Sequence, residues 1–167
     1  DERFGVHPDL ACFGKAMGNG MPISAIVGRR QTMEVFSEIF YSFTAGGECL
    51  SLASAIATIE EMQDQDVFGH IWEMGSRLQD GYNRMVWDLK LEKHTQSVGL
   101  SPRTALMFLD EYGNNSLLIK SLFQQEVLKR GVLFGAAHCI SFSHSSEDID
   151  MTLAAYFEAL TILKSAL

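Results

Sequence analysis

Residues 10–22, LACFGKAMGNGMP, place a single lysine, Lys15, between an apolar run and a glycine-rich turn. The apolar run predicts a buried strand, and the glycines that follow allow the backbone to turn tightly and to approach a ligand closely. Partial burial disfavours the charged form of an amine, so Lys15 is suited to act as a neutral nucleophile toward a carbonyl. The alternative is a lysine at the end of a strand that extends its ammonium into water.

The residues around Lys15 follow a fixed order that resembles the cofactor-lysine segment of class III aminotransferases. The matching positions are Pro8-Asp9-Leu10, Gly14-Lys15, Gly18, Gly20, Pro22 and Gly28-Arg29-Arg30. Members of this family are fold-type I enzymes that use pyridoxal phosphate (PLP). The resemblance therefore implies PLP as the cofactor and a Schiff base between PLP and Lys15.

A second block, Phe43-Thr44-Ala45-Gly46-Gly47-Glu48-Cys49-Leu50, is similar to another loop of the family. The resemblance implies that Thr44 and Gly47 meet the cofactor phosphate of the neighbouring subunit, and hence that the protein is a homodimer with shared active sites. Many members have Asn-Pro where this chain has Glu48-Cys49. A carboxylate at Glu48 would repel a phosphate unless it points away.

The opening pair Asp1-Glu2 resembles the family's Asp-Glu pair, whose aspartate keeps the pyridine nitrogen of PLP protonated. Such a carboxylate favours the pyridinium and makes the ring a better electron sink. Only residues 3–7 separate this pair from Pro8, whereas the family usually has a longer stretch. Asp1 is therefore either the equivalent residue beside a shortened loop or a terminal carboxylate in solvent.

The resemblance covers nearly all of the 167 residues and implies a C-terminal portion of a longer α/β enzyme. Residues 1–64 are expected to be the end of the large PLP-binding domain, and residues 65–167 the small α+β domain. The closing segment, residues 131–150, resembles the glutamate-1-semialdehyde aminomutase branch. The family's N-terminal half, which builds much of the substrate pocket, has no counterpart here, so the substrate stays unnamed.

Periodicity and turn residues predict the remaining elements. The expected strands are residues 23–27, 96–99, 105–109, 132–134 and 140–143, and the expected helices are residues 31–36, 51–62, 67–89, 117–129 and 149–163. Gly131 is expected to occupy the position just beyond the end of a helix, and residues 145–148 are expected to cap the last helix. Trp72 and Trp87 follow the apolar pattern of the long helix and are expected in the core.

Composition limits the function classes. The formal net charge is -8 without a basic stripe, which argues against a nucleic-acid partner, and no apolar run is long enough to span a bilayer. Cys12, Cys49 and Cys139 lie far apart, so we expect reduced, buried thiols in a cytoplasmic protein.

Several polar residues could be functional or structural. Arg103, in a predicted turn, is either the arginine that clamps a substrate carboxylate, as the resemblance to fold-type I transaminases implies, or a surface arginine. His138 and His144 lie on alternate sides of a predicted strand without a third ligand spaced for a metal, so both are expected to be structural. Glu126, Lys129 and Arg130 are expected to form a solvated helix face.

The sequence thus predicts PLP-dependent amino-group transfer between small amino and oxo compounds. The amine of Lys15 would hold the cofactor and later shuttle a proton to and from the substrate carbon. An aminomutase, which moves an amino group within one molecule, and an intermolecular transaminase are equally compatible. The contrasting hypothesis is a non-catalytic assembly module of the same fold.

Overall fold

The computed structural model describes residues 2–42, 44–135 and 137–167. The chain divides into two units, Asp1–Asp66 and Val67–Leu167. The assignment of these units to a large and a small domain stays a prediction. Among the described residues, no helix combines the length and the apolar content that crossing a membrane requires.

The first unit contains one antiparallel strand pair and two helices. β1 pairs with β2 so that Leu10 lies opposite Gly28 and Phe13 opposite Ala25. The elements are β1 (Leu10–Phe13), β2 (Ala25–Gly28), α1 (Arg30–Glu34) and α2 (Cys49–Asp64), with a 3-10 turn at Lys15–Gly18 between the strands. The strands and helices predicted here are confirmed, with ends that differ by one to two residues.

The expected burial of β1 is wrong. Leu10 is 44% and Phe13 55% exposed, and Cys12 is exposed as well. A two-stranded ribbon can cover neither face of its strands by itself. Within this unit the buried residues of the described part are Gly18, Ser51 and Ala55, all of them small.

The second unit packs a β-hairpin against three helices. β3 pairs with β4 from Thr95 opposite Phe108 to Leu100 opposite Arg103. The elements are α3 (Val67–Leu89), β3 (Thr95–Leu100), β4 (Arg103–Phe108), α4 (Leu117–Lys129) and α5 (Ser146–Ala166). The bounds of α3 and α4 are those predicted. Ser145 caps α5 in a capping box with Asp148, and Gly131, just beyond α4, has a φ of 82°, as the sequence indicates.

Aromatic side chains form the centre of this unit. Phe123 is fully buried, and its ring centroid lies 5.2 to 6.0 Å from those of four other aromatic residues: Tyr82, Phe108, Phe134 and Tyr156. The rings meet edge-on or tilted, which is the favourable arrangement for aromatic pairs. The core of the chain therefore lies in the second unit.

The two strands predicted at residues 132–134 and 140–143 do not form. Residues 132–134, 140 and 141 have no regular secondary structure, and residues 142 and 143 form a turn. Two backbone hydrogen bonds reach the hairpin, from His138 N–H to the Thr104 carbonyl (2.8 Å) and from Ile140 N–H to the Pro102 carbonyl (3.0 Å). In the described part of this segment, an isolated bridge between Ala105 and Ala137 forms beside β4, and one bridge does not make a strand ladder. Cys139 is consequently exposed, as is Cys49, so the expectation of three buried thiols is wrong.

The expected burial of Trp87 is also wrong, because its side chain is 70% exposed. The buried positions of α3 recur every four residues at Met74, Leu78, Tyr82 and Val86. Trp87 follows the last of these by one residue, which turns it about 100° around the helix axis. Trp72 is half-buried.

Glu126 is not part of a solvated helix face, because it is buried at 7% exposure. Its carboxylate accepts hydrogen bonds from Lys129 Nζ (2.7 Å) and Arg130 Nη1 (2.9 Å), while Arg130 Nε donates to Glu158 (2.7 Å). The hydrogen bonds from Lys129 and Arg130 lower the pKa of Glu126 to about 2. Arg130 therefore joins the end of α4, through Glu126, to Glu158 on α5.

His138 has two side-chain partners in the core, as expected of a structural histidine. Its Nδ1 lies 2.7 Å from Thr104 Oγ1, and its Nε2 lies 2.7 Å from the Tyr156 hydroxyl. Burial lowers the pKa of His138 to about 4. The imidazole is consequently neutral at pH 7.

This burial predicts a specific loss of stability in acid. The pKa of His138 is lower in the folded than in the unfolded chain, so its contribution is fully present above pH 6.5 and is lost as the pH falls toward 4. We expect the loss to be about 3 kcal/mol between pH 7 and pH 4. Urea unfolding at both pH values measures it, and His138→Gln removes this part of the pH dependence. An equal pH dependence in both proteins would contradict the prediction.

Candidate functional site

Lys15 stands where the chain leaves β1 and enters the 3-10 turn Lys15–Gly18. Its φ is 51°, in the left-handed region that residues other than glycine rarely adopt. Asn19, at the other end of the turn, has a φ of 45°. Such a conformation costs on the order of 1 kcal/mol per residue and persists only where surrounding contacts maintain it.

The amine of Lys15 is available for reaction. The side chain is exposed, which differs from the partial burial predicted from the sequence, because the small first unit covers little of its own surface. Within residues 2–42, 44–135 and 137–167, no group makes a hydrogen bond or an ion pair with this amine. The Nζ of a lysine that has no bonding partner is free to attack a carbonyl when the amine is neutral.

Two contacts hold the turn that follows Lys15. Gly18 is buried, and a Cβ there would lie 2.5 Å from Ile23 Cγ2, so only glycine fits. The carbonyl of Gly18 accepts a hydrogen bond of 2.7 Å from the Ser54 hydroxyl on α2. Ser54 was not predicted, because its bond to Gly18 joins residues 36 positions apart and leaves no local pattern in the sequence.

Thr44 and Gly47 lie in the exposed turn of residues 44–47 that precedes α2. The Glu48 N–H closes this turn on the Ala45 carbonyl at 3.2 Å. Nothing lies within 4 Å of a Cβ placed on Gly47, so this position is open to solvent. Thr44 and the rest of this turn can therefore be reached from solvent.

Glu48 caps α2 with its own carboxylate, and this was not predicted. One carboxylate oxygen accepts from the Leu50 N–H (2.8 Å) and the other from the Ser51 N–H (2.6 Å). Its contacts with Ser51, and then with Leu50, hold the pKa of Glu48 below its ordinary value. A helix N-terminus normally offers these N–H groups to an anion, but here a side-chain anion already holds them.

A pocket of about 360 Å³ lies beside this cap. It is lined by Pro22, Ile23, Ser24, Ala45, Gly46, Glu48, Ser51 and Leu52. The segment just after the Lys15 turn and the loop that contains Thr44 thus share one concavity. The Ser51 hydroxyl is buried there and has no hydrogen-bond partner among the described residues.

Two further residues were predicted for the site, Asp1 and Arg103. Asp1 lies outside the described residues. Arg103 is the first residue of β4, not a turn residue, and its exposed side chain has no hydrogen bond or ion pair in the described part of the chain. Its proposed contact with a substrate carboxylate stays a prediction.

The described residues fit the aldehyde of PLP better than they fit its phosphate. An exposed, unpaired primary amine on Lys15 suits covalent attachment of an aldehyde. For a phosphate, Thr44 and the other residues of the exposed turn are accessible, whereas the Leu50 and Ser51 N–H groups are taken by Glu48.

The chain is similar in sequence to known proteins. The class-III aminotransferase family matches residues 1–149. Relatives include the glutamate-1-semialdehyde 2,1-aminomutases of Thermomicrobium roseum, 30% identical over 95% of this chain, and of Alkaliphilus oremlandii, 32% identical over 98% of it. The chain spans 40% of the length of each.

Solved structures of similar fold include a protein in its PLP internal aldimine form and several transaminases. The FumI protein of Sphingopyxis sp. MTA144, in its PLP internal aldimine form, superposes with a TM-score of 0.86 at 24% identity over 97% of this chain and 38% of its own. An omega-transaminase from Sphaerobacter thermophilus gives a TM-score of 0.84 at 17% identity, over 97% and 40%. The fold is that of PLP-dependent transaminases. Since the family match extends over residues 1–149 of 167, the chain belongs to the class III aminotransferase family.

Proposed function

We propose that the protein containing this chain transfers amino groups with PLP as its cofactor. The observation that carries the proposal is Lys15, whose unpaired amine stands at the start of a strained turn within the segment that matches the family. Strained backbone at a reactive side chain is typical of functional sites. The aminomutase relatives and the transaminase fold support the same reaction type.

Each candidate residue has a distinct role in this proposal. PLP, when bound, supplies an electron sink for the reacting carbon. Lys15 Nζ would hold the cofactor covalently and, as a free amine, would carry a proton to and from the substrate carbon. Thr44 and Gly47 contact the phosphate, Asp1 the pyridine nitrogen, and Arg103 the substrate carboxylate.

The assembly and the domain roles belong to the same proposal. Residues 1–64 would complete a large cofactor domain, residues 65–167 would form the small domain, and two copies would share their active sites in a cytoplasmic homodimer. Sedimentation of the full-length protein measures the association. A stable monomer would contradict the shared site, because the loop of residues 44–47 would then have no partner's phosphate to meet.

Borohydride reduction after incubation with PLP, followed by peptide mapping, tests the cofactor assignment. We expect a pyridoxyl mark on Lys15 in the full-length protein. A mark on another lysine, or none, would refute the assignment and favour the non-catalytic assembly module.

A nitrogen-transfer assay separates the two reaction types. Glutamate 1-semialdehyde is the compound named for the aminomutase relatives. An aminomutase rearranges it without a second amino donor, because the nitrogen stays within one molecule. A transaminase turns over only when an amino donor and an oxo acceptor are both supplied. Rearrangement of the semialdehyde alone would assign this protein to the aminomutase reaction.

A further inference from the structure

Ser54 joins helix α2 to the turn that carries Lys15. Its hydroxyl donates to the Gly18 carbonyl at 2.7 Å, across 36 positions of sequence, and the contact is partly buried. The same carbonyl also accepts the Met21 N–H at 3.0 Å, so it receives two hydrogen bonds. A helix side chain thus holds the backbone at the end of the 3-10 turn.

The turn needs such an anchor. Three successive backbone hydrogen bonds build it: Met17 N–H to the Gly14 carbonyl (3.1 Å), Asn19 N–H to the Ala16 carbonyl (3.1 Å), and the Met21 bond already described. Lys15 and Asn19 adopt left-handed conformations at its two ends. Because this backbone is strained, contacts from outside the turn must maintain it, and Ser54 supplies one at its buried residue, Gly18.

We propose that Ser54 is a positioning residue for Lys15, because its hydrogen bond to the Gly18 carbonyl fixes the 3-10 turn that begins at the lysine. The inference rests on the proposed function of Lys15. Ser54 itself touches neither cofactor nor substrate in this account. Its effect reaches the reaction through the backbone of residues 15–18.

A neighbouring hydroxyl provides the matched control. Thr58 Oγ1 donates to the Ser54 carbonyl at 2.8 Å, one turn further along α2 and on the same face. This bond stays within the helix, and its loss affects only α2. Thr58→Val removes that hydroxyl and keeps the shape of the side chain, whereas Ser54→Ala removes the bond to the turn.

The test measures Lys15 in the full-length protein with two readouts. The first is independent of PLP: brief acetylation with limiting acetic anhydride, followed by peptide mass mapping, gives the reactivity of Lys15 relative to Lys164. The second is the rate at which PLP and borohydride label Lys15. We expect Ser54→Ala to change the first ratio and to slow labelling about tenfold, since displacement of a reacting group by about 1 Å is costly. Thr58→Val is expected to match the wild type in both.

The outcomes separate this inference from the proposed function. If PLP labels Lys15 equally in wild type and Ser54→Ala, and the acetylation ratios also agree, Ser54 has no positioning role. If PLP labels Lys15 in neither, the proposed function fails, while a changed acetylation ratio still supports the positioning. Should Ser54→Ala fail to fold, Ser54→Cys takes its place, because its thiol is close in size and a weaker donor. An unchanged ratio and an unchanged labelling rate in that variant would overturn the inference.

Discussion

Replacement of Lys15 by glycine is expected to lower amino transfer by on the order of 10⁴-fold, because one amine is proposed to hold the cofactor and to move the proton. The fold should not suffer from this change. Lys15 has a φ of 51°, which glycine adopts without strain, so the free energy of unfolding should be unchanged or slightly higher. Steady-state turnover and urea unfolding of the full-length protein measure the two effects separately.

Lys90 provides the control for this variant. It is a second exposed lysine in the left-handed region, with a φ of 60°, and it lies directly after α3. Lys90→Gly makes the same chemical change in the same backbone conformation, yet activity should remain at the wild-type level. If Lys15→Gly kept activity within about tenfold of the wild type, Lys15 could not be the residue that carries both steps.

Helices were predictable from sequence where local signals agree with one another. The bounds of α4 follow from an apolar pattern that ends before a glycine, and Gly131 does adopt the left-handed conformation that this position requires. α5 begins at a capping box of Ser145 and Asp148, which involves only residues close in sequence. Such signals depend little on the rest of the fold.

Burial and sheet pairing were less predictable, because they depend on distant neighbours. Residues 132–134 and 140–143 have the composition of strands but form none, and the isolated bridge to β4 is made by Ala137, which lies between them. Likewise, the composition of β1 predicts burial, whereas its one ladder partner is β2 and both strands are largely exposed. Apolar composition indicates that a segment can be buried, not which element covers it.

In the candidate site, too, local features were predictable from the sequence and contacts between distant residues were not. The turn chemistry around Lys15 was evident in the glycines, and the structure places the lysine at the start of that turn. The cap by Glu48 was not evident, since glutamate is not among the preferred capping residues. The bond from Ser54 to Gly18 joins residues 36 positions apart and has no local pattern. The place of Lys15 at the turn was therefore predictable, while the contacts made by Glu48 and Ser54 required the structure.

Replacement of Phe123 by alanine is expected to destabilise the second unit by about 3 to 5 kcal/mol. Phe123 is fully buried among four aromatic rings, so its removal leaves a cavity between α3, α4 and α5 and ends all four ring contacts. The neighbours are held by other bonds, such as that between Tyr82 and Thr95 at 2.6 Å, and cannot collapse freely into the space. Urea unfolding followed by near-ultraviolet circular dichroism reports on this cluster.

Leu118→Ala is the matched control in the same helix, because Leu118 lies on α4 with 82% of its surface exposed. Its replacement should change the free energy of unfolding by no more than about 0.5 kcal/mol. A Phe123→Ala protein as stable as Leu118→Ala would contradict a core centred on these rings. Phe123→Leu refines the test, since it keeps most of the volume and ends the aromatic contacts. We expect its loss to lie between the two, because leucine fills most of the space that alanine leaves empty but makes no aromatic contacts.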